Sequence, residues 1–173
     1  MKKFTLLFLA TILTFVISSC SKTEEVAPAT IVGKWNTIEF GGITNTKTYK
    51  VAAGTAVKTG GASTFTIEPS SYEFKEDGMA ILGKATGTYK LANNKLVFTS
   101  KDGEFNYDVT SLTNTELKLS CLKLTKKATE DYDLITNESI ASYLYGAYAM
   151  FGNGGTETDL DNSTSLQGTV LFK

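Results

Sequence analysis

The residue types that most often carry out catalysis are scarce in this chain of 173 residues. It contains no histidine, and all 17 basic residues are lysines because the sequence has no arginine. A Ser/His/Asp triad, a Cys/His pair and a histidine-bound metal are therefore excluded, as is bidentate binding of phosphate by a guanidinium group. With 18 acidic residues the net charge is −1, which argues against a nucleic-acid partner because phosphate binding needs a concentrated basic surface.

Two groups of carboxylates could in principle do chemistry. The acidic residues within 157–161 offer oxygen ligands for calcium, but their spacing lacks the glycine that an EF-hand loop requires, and we expect a solvated loop. The acidic residues within 130–133 could form a glycosidase pair, yet nothing in their spacing places two carboxylates across a cleft. We therefore predict no catalytic residue, no metal site and no cofactor, and we expect the protein not to be an enzyme.

The first of the two cysteines, Cys20, ends a segment with the three-part layout of an export signal. Lys2 and Lys3 precede an apolar run over 4–17, which is followed by two serines and Cys20. Fourteen residues in a helix rise about 21 Å, which is short of the roughly 30 Å hydrocarbon core of a bilayer. The run therefore predicts a cleavable signal and not a membrane span.

The end of this segment resembles a bacterial lipobox, in which an aliphatic residue and two small residues precede a cysteine. Ile17 and the two serines before Cys20 match that pattern. The resemblance implies a signal peptide over 1–19, cleavage before Cys20 and a diacylglycerol thioether on its sulfur. More than one acyl chain, palmitate being typical, would then anchor the protein stably, since each buried CH₂ contributes about 0.8 kcal/mol. A plain secretory signal that happens to end near a cysteine is the alternative.

Lipidation of Cys20 would leave Cys121 without a disulfide partner. We expect Cys121 to be a small buried hydrophobe and not a nucleophile. Residues 20–30 read as the lipidated cysteine followed by a polar, flexible tether. The stretch 22–25 resembles the surface-export signal of some lipoproteins, with one threonine intervening. We expect an exported protein anchored to the bacterial outer membrane, and both the cell surface and the periplasmic face remain open.

From residue 31 the sequence alternates apolar and polar residues between turn dipeptides, which is typical of antiparallel strands joined by hairpins. Asp77-Gly78, Asn93-Asn94 and Asp102-Gly103 supply residues that tolerate positive φ. The predicted strands cover 32–40, 46–51, 64–67, 72–75, 79–83, 86–91, 95–100, 104–111, 116–125 and 166–172. Eight to ten strands in succession predict an all-β fold, an antiparallel up-and-down barrel, since closure removes exposed strand edges.

Two stretches interrupt the alternation. Residues 52–63 are rich in glycine and small side chains, which predicts a mobile loop at one end of the barrel. The alternation of apolar and polar residues also changes phase within 119–124, which predicts a β-bulge or a segment buried on both faces.

A C-terminal amphipathic helix is predicted after the strands, with Asn137 as N-cap and Gly152 as the C′ residue. Its apolar face would be formed by residues spaced by three and four: Ile140, Tyr143, Leu144, Ala147 and Phe151. The opposite face has Ser139, Ser142 and Tyr145 instead of lysines. We therefore expect the apolar face to pack against the barrel wall and not on a membrane surface.

The first strand carries a family resemblance. Gly33-Lys34-Trp35 resembles the Gly-x-Trp signature of the lipocalins, in which the tryptophan closes one end of the barrel. Three further patterns of strand and turn support it: Tyr72-Glu73-Phe74, Gly87-Thr88-Tyr89 and 112–119. The succession is similar to the lipocalin-like domains of bacterial lipoproteins and covers 31–125. It implies that Gly33 and Trp35 close the barrel within a domain over 31–173, of which 126–173 has no firm counterpart.

A barrel of this size either fills its interior with side chains or encloses one small ligand. Alternation places six candidate ligand-binding residues on the apolar side: Phe74, Tyr89, Phe98, Phe105, Tyr107 and Leu119. Each of them could equally belong to a packed core. With 52–63 as a lid, they would line a pocket for a small apolar or amphipathic molecule. The alternative is a filled barrel that acts as a structural or interaction module for a protein or glycan partner at the cell envelope.

Overall fold

The computed structural model describes residues 29–58, 64–127 and 130–173. The predicted signal peptide, Cys20 and most of the predicted tether lie outside these residues, as do residues 59–63 of the predicted lid. Among the described residues, no helix has both the length and the apolar character needed to cross a membrane.

The described residues form strands joined mostly by short turns, with two helices near the C-terminus. The strands are β1 (Gly33–Thr44), β2 (Thr48–Ala52), β3 (Ala56–Lys58), β4 (Thr64–Thr66), β5 (Ser71–Phe74), β6 (Met79–Leu82), β7 (Ala85–Ala92), β8 (Lys95–Ser100), β9 (Gly103–Leu112), β10 (Leu117–Thr125) and β11 (Ser165–Phe172). The helices α1 (Asn137–Gly152) and α2 (Glu157–Asp161) lie between β10 and β11 in the chain.

The main sheet closes into an antiparallel barrel. Its strand order is β11-β10-β9-β8-β7-β6-β5-β1-β2, and β11 also pairs with β1. Residues 39–43 of β1 pair with β2, whereas residues 33–36 pair with β5 on the same edge. The strands β2 and β5 therefore follow one another along the same edge of β1 and together count as one strand of the barrel. The barrel has eight strands when it is counted in this way. The predicted fold class, an up-and-down barrel with a C-terminal helix, is confirmed.

Two paired strands are inserted between β2 and β5 in the chain. The first, β3, lies within 52–63, where we predicted a mobile loop, and the second, β4, lies within the predicted strand 64–67. The strands β3 and β4 pair with Ala56 opposite Thr66, and the Ile67 N–H donates to the Thr55 carbonyl at 3.0 Å. Val57 and Ile67 are buried against the main core. The loop prediction was wrong for residues 56–58 because the buried side chain of Val57 gives them a packed face that the surrounding glycines and alanines obscured.

The barrel interior is densely packed at the end where β1 starts and β11 stops. Six core side chains there and at mid-height expose at most 1% of their surface: Phe74, Leu96, Phe98, Leu117, Leu119 and Phe172. They alternate with more exposed residues along their strands, as expected for a closed barrel with one buried face. We call this the closed end, and we call the opposite end, where β1 stops and β11 starts, the mouth.

The wall of the barrel opens between β9 and β10 toward the mouth. Their pairing runs from Leu112 opposite Leu117 to Asp108 opposite Ser120, and it does not continue into the described residues 103–107 and 121–125. We call this opening the seam. The register between β10 and β11 also shifts between Ser120 and Lys123, which confirms the predicted irregularity in β10.

Helix α1 lies across the mouth, on the inner side of the wall. A Cβ on Gly42 of β1 would stand 2.6 Å from the Gly146 carbonyl oxygen, and one on Gly168 of β11 would stand 2.6 Å from the Ser142 carbonyl oxygen. Gly168 shares its face of β11 with the core residue Val170, so the helix backbone approaches the inward-facing side of the strands. Glycines at these points permit that close approach.

The buried face of α1 differs from the predicted one. The buried residues are mostly small: Ser139, Ser142, Gly146, Ala147, Ala149 and Met150. Ile140 and Leu144, which we expected to pack on the barrel, expose 41% and 39% of their surfaces. The predicted face was right for Ala147, which is buried, and for Tyr143 and Phe151, which pack against core residues. It was wrong for Ile140 and Leu144, because the buried side of the helix packs against backbone, where small residues fit and branched ones do not.

The helix boundaries were predicted to within one residue at the N-terminus and two at the C-terminus. Thr136 and not Asn137 is the N-cap of α1, because its side chain accepts from the Ser139 N–H at 3.1 Å in a capping box. Gly152 is the last helical residue, and Asn153 is the C-cap. The acidic stretch expected to be a loop forms the short helix α2, which is capped by Thr156 and buries Leu160.

Candidate functional site

A cavity of about 170 Å³ remains between α1 and strands β5 to β9 at the mouth. We call it the mouth cavity. Its lining combines aromatic and small apolar side chains: Tyr72, Leu82, Ala85, Phe98, Phe105, Tyr107, Ala141 and Tyr145. Six of these residues come from the barrel wall, and Ala141 and Tyr145 come from successive turns of α1.

Strand pairing brings the wall residues of the mouth cavity onto one face. Phe98 of β8 lies opposite Phe105 of β9, and their ring centroids are 6.2 Å apart. Tyr72 of β5 lies opposite Leu82 of β6 in the same way. Because directly paired residues in a sheet share a face, the ladder itself fixes these side chains on the inner side of the barrel.

Three tyrosines supply the polar groups of the mouth cavity. The Tyr72 and Tyr145 hydroxyls are 3.1 Å apart and share a hydrogen bond between the wall and the helix. Burial raises the pKa of Tyr72, Tyr107 and Tyr145 well above the usual value of 10, and interactions between neighbouring phenols reinforce the effect. These hydroxyls are therefore uncharged at neutral pH and can both donate and accept hydrogen bonds.

A negative charge lies close to this site. None of the described residues that line the mouth cavity is ionised at neutral pH. Glu138 in the first turn of α1 accepts a hydrogen bond from the Asn106 N–H at 2.7 Å, and its charge adds to the burial that raises the pKa of Tyr107 and Cys121. An anion in the cavity would thus meet no cationic partner in its lining and would feel a nearby carboxylate.

The mouth cavity unites three of the six predicted ligand-binding residues, namely Phe98, Phe105 and Tyr107. Phe74, Tyr89 and Leu119 are not part of its lining. Phe74 and Tyr89 contact each other edge to face at 5.0 Å, and the Tyr89 hydroxyl donates to the Lys75 carbonyl at 3.0 Å, near the closed end. Leu119 is fully buried in the core.

The remaining lining residues were missed by the sequence analysis. Tyr72 alternates with Phe74 in β5, so the strand pattern did carry a signal for it. Tyr145 was assigned to the polar face of the helix. The spacing of Ala141 and Tyr145 by four residues marks one helical face, but nothing local to the sequence shows that this face closes a barrel.

Trp35, which we expected to close the barrel, is buried near the start of β1. Its indole Nε1 donates to the Ile31 carbonyl at 2.8 Å, and it lies opposite Tyr72 in the pairing of β1 with β5. Gly33 has a φ of +138°, a conformation that glycine adopts without strain. The closing role of these residues stays a prediction, which the substitution of Trp35 described below tests.

A second, larger cleft lies outside the barrel. It has a volume of about 490 Å³ between β3 and the loop joining α1 to α2, and none of the predicted ligand-binding residues lines it. Within the described part of the chain, no group of three or more cysteines and carboxylates is placed to hold a metal ion.

Comparison with known protein families assigns part of the chain to a family. Residues 31–119, just over half of the chain, match a family described as a lipocalin-like domain. No curated protein and no solved structure matches the chain. The matched part includes all the wall residues of the mouth cavity, whereas Ala141 and Tyr145 lie beyond it.

Proposed function

Since this chain belongs to the lipocalin-like family, we propose that it binds a small apolar or amphipathic molecule in the mouth cavity. A barrel of this family suits small-molecule binding in general. The proposal rests on one observation: aromatic side chains from the barrel wall and α1 converge around a pair of hydrogen-bonded tyrosine hydroxyls. Burial of apolar surface would drive binding, and the hydroxyls would orient the ligand.

We propose a binding function without catalysis. The chain has no histidine or arginine, and the described carboxylates do not form a pair within the mouth cavity. Cys121 is buried beside the cavity wall, and burial raises the pKa of its thiol to about 12. The thiolate, which is the nucleophilic form, is therefore scarce at neutral pH.

We further propose that a lipid on Cys20 anchors the protein to the bacterial outer membrane, at either the cell surface or the periplasmic face. The lipobox-like residues that end at Cys20 support this proposal. The first described residues lead directly into β1, which starts at the closed end of the barrel. A lipid anchor would thus attach at the end opposite the mouth and leave the mouth free to exchange ligand.

Native mass spectrometry of the mature protein, purified from cells in mild detergent, tests ligand binding. We expect a discrete additional mass that disappears after organic extraction. Ala141→Leu should abolish the additional mass because the larger side chain would fill the cavity, whereas Ile140→Leu on the exposed neighbouring position should keep it. A bare mass, together with failure of small apolar probes to bind, would contradict the proposal.

Membrane fractionation tests the anchor. Cys20→Ser should release the protein from the membrane fraction and abolish labelling by a fatty-acid probe. The matched control, Cys121→Ser, should remain labelled and membrane-bound, since Cys121 is buried in the core. Unchanged labelling of Cys20→Ser would refute lipidation at this residue.

One observation favours a second candidate, an interaction module for a protein or glycan. Helix α1 fills much of the mouth, and the exposed Ile140 and Leu144 lie on its outer surface. Ile135, just before the helix, exposes 82% of its surface. Apolar side chains grouped on a surface mark sites of association in many proteins. This function gains support if the mouth cavity binds none of the probes below.

A further inference from the structure

We infer that the ligand of the mouth cavity is a single uncharged ring with one hydrogen-bonding group, such as a phenol, and not a fatty acid. This ligand class rests on the function proposed above and narrows it. It follows from the size of the cavity, from the rings and hydroxyls that line it, and from the absence of a cation among its described lining residues.

The cavity has one side open to solvent, and its volume accommodates about one ring. An apolar cavity of roughly 150 Å³ holds benzene, and the mouth cavity has about 170 Å³. The adjoining core offers no continuation for a long chain, because Phe98 and Leu119 are fully buried. On the other side, Tyr145 packs on Phe40 with ring centroids 5.2 Å apart. A long acyl chain would therefore leave most of its length outside the cavity unless α1 or the core moved.

The walls of the cavity favour a flat aromatic ligand. The rings of Phe98 and Phe105 are tilted by 42° to one another, and Tyr107 follows Phe105 on the same face of β9. Aromatic rings attract other rings in offset or edge-to-face arrangements, in addition to the apolar area that they bury. A planar ring can therefore use this lining more fully than a flexible chain of the same volume.

The hydroxyls of Tyr72 and Tyr145 call for one polar group on the ligand. Each hydroxyl has one donor hydrogen and two acceptor lone pairs, and their mutual bond uses one donor and one acceptor. Tyr107 also interacts with the Tyr72 hydroxyl, so the three phenols together keep one donor hydrogen and several lone pairs for a ligand. A ligand hydroxyl can join this pair and extend it into a chain of hydrogen bonds, which strengthens its members.

The charge distribution selects a neutral ligand. A carboxylate in the cavity would lose its hydration and meet no cation among the described lining residues. The Glu138 carboxylate, which is close enough to influence Tyr107, would repel it further. A neutral phenol has neither cost. Its single hydroxyl can form hydrogen bonds with the tyrosine pair in place of those that it loses to water.

Calorimetric titration of the extracted mature protein at neutral pH tests this ligand class with four probes. They are p-cresol, toluene, 4-methylbenzoate and hexadecanoate. We expect p-cresol to bind about tenfold more tightly than toluene, because one net hydrogen bond is worth about that factor. The affinity for 4-methylbenzoate should be at least about tenfold weaker than that for p-cresol, and hexadecanoate should not bind.

Removal of single hydroxyls tests the role of the tyrosine pair. Tyr72→Phe and Tyr145→Phe should each weaken p-cresol binding by several-fold and leave toluene binding nearly unchanged. Tyr148→Phe is the matched control, since Tyr148 packs on Phe40 and Phe65 and does not line the cavity. It should leave the affinities of both probes unchanged.

Two sets of results would overturn the proposed ligand class while ligand binding itself survives. One is tighter binding of 4-methylbenzoate or hexadecanoate than of p-cresol, with loss of binding in Ala141→Leu. The other is equal binding of toluene and p-cresol, with no effect of either tyrosine substitution. If none of the four probes binds and no cellular ligand is found, the function proposed above fails as well.

Discussion

Buried phenol and thiol groups make the stability of this chain sensitive to alkaline pH. Tyr72, Tyr107, Tyr145 and Cys121 all have a pKa raised by burial, so folding favours their neutral forms. Unfolding lets them ionise near their ordinary values, which lie at about 9 for the thiol and 10 for the phenols. Their contribution to stability is therefore complete below about pH 9 and is lost as the pH rises toward the folded values.

The melting temperature should change with pH in the same direction as this contribution to stability. We expect it to be flat between about pH 6 and 8, because the sequence has no histidine, and to fall steeply above about pH 9. Thermal unfolding followed by circular dichroism across this range measures the effect. Tyr145→Phe removes one of the ionising groups and should make the alkaline fall shallower. A melting temperature that stays constant into strong alkali would contradict the burial of these groups.

Substitution of Trp35 should reveal how much this single buried residue contributes to stability. Trp35→Ala should lower the free energy of unfolding by about 3–5 kcal/mol, because it removes a large buried ring and the bond from its indole to the Ile31 carbonyl. Trp35→Phe keeps most of the apolar volume and should cost clearly less. Urea denaturation measures both values. A nearly neutral Trp35→Ala would show that the tryptophan does not close the barrel.

Among the elements, strands were predictable and the packing of the helix was not. Asn93 and Asn94 adopt φ of 50° and 59° in the turn between β7 and β8, as their residue types indicated. Alternation placed Phe98 and Tyr107 on the inner face, and both line the mouth cavity. Such signals are local, since a turn and a strand face depend on neighbouring residues alone.

The helix α1 lacks a comparable local signal. Its burial depends on which strands lie beneath it, and those strands are distant in sequence. Gly42 and Gly168 present bare backbone to the helix, so serine and glycine pack there while Ile140 remains exposed. The contribution of Tyr145 to the candidate site escaped prediction for the same reason, because it exists only once α1 lies across the mouth.

Two glycines on opposite sides of this contact should respond differently to substitution. Gly42→Ala would place a methyl group 2.6 Å from the Gly146 carbonyl, where only movement of backbone can relieve the clash. We expect Gly42→Ala to lower the free energy of unfolding by about 1–3 kcal/mol or more. Gly146→Ala meets the side chain of Leu166 at 2.7 Å, but gains about 1 kcal/mol of helix propensity. Gly146→Ala should therefore be the milder variant in urea denaturation, and the reverse order would contradict the proximity of the two backbones.

Across the whole molecule, side chains of α1 and β11 form hydrogen bonds with backbone groups at which the pairing of strands is interrupted. The Ser142 hydroxyl donates to the Leu122 carbonyl at 2.6 Å and accepts from the Gly168 N–H at 2.9 Å. The Gln167 amide donates to the Cys121 carbonyl at 2.8 Å, and Glu138 accepts from the Asn106 N–H. The irregular part of β10 is thus bound to its neighbours through these side chains.

Ser142→Ala tests the importance of these bonds. It should lower the free energy of unfolding by about 1–3 kcal/mol, since it leaves the Leu122 carbonyl and the buried Gly168 N–H without their partner. Ile140→Ala, on the exposed face of the same helix, is the control and should change stability by about 0.5 kcal/mol or less. Equal effects of the two substitutions, measured by urea denaturation, would mean that the hydroxyl does not join the strands.

The family match ends close to the point in the chain after which the elements that close the barrel and its mouth cavity begin. The match ends at residue 119, just before the part of β10 that borders the seam. The segment beyond it supplies α1 and β11, and β11 is the strand that joins β10 to β1. Closure of the barrel and completion of the mouth cavity thus both depend on the segment after the matched residues.

The seam also bears on how copies of this protein would behave toward one another. Strand edges with free N–H and C=O groups are templates on which a segment of another chain can form a β-ladder, and this is a common route to aggregation and domain swapping. Here the two edges at 103–107 and 121–125 face the N-terminal half of α1, whose side chains bind Asn106 and Leu122. We therefore expect the helix to hinder self-association, and we expect any change that detaches it to make both edges available for pairing with another chain.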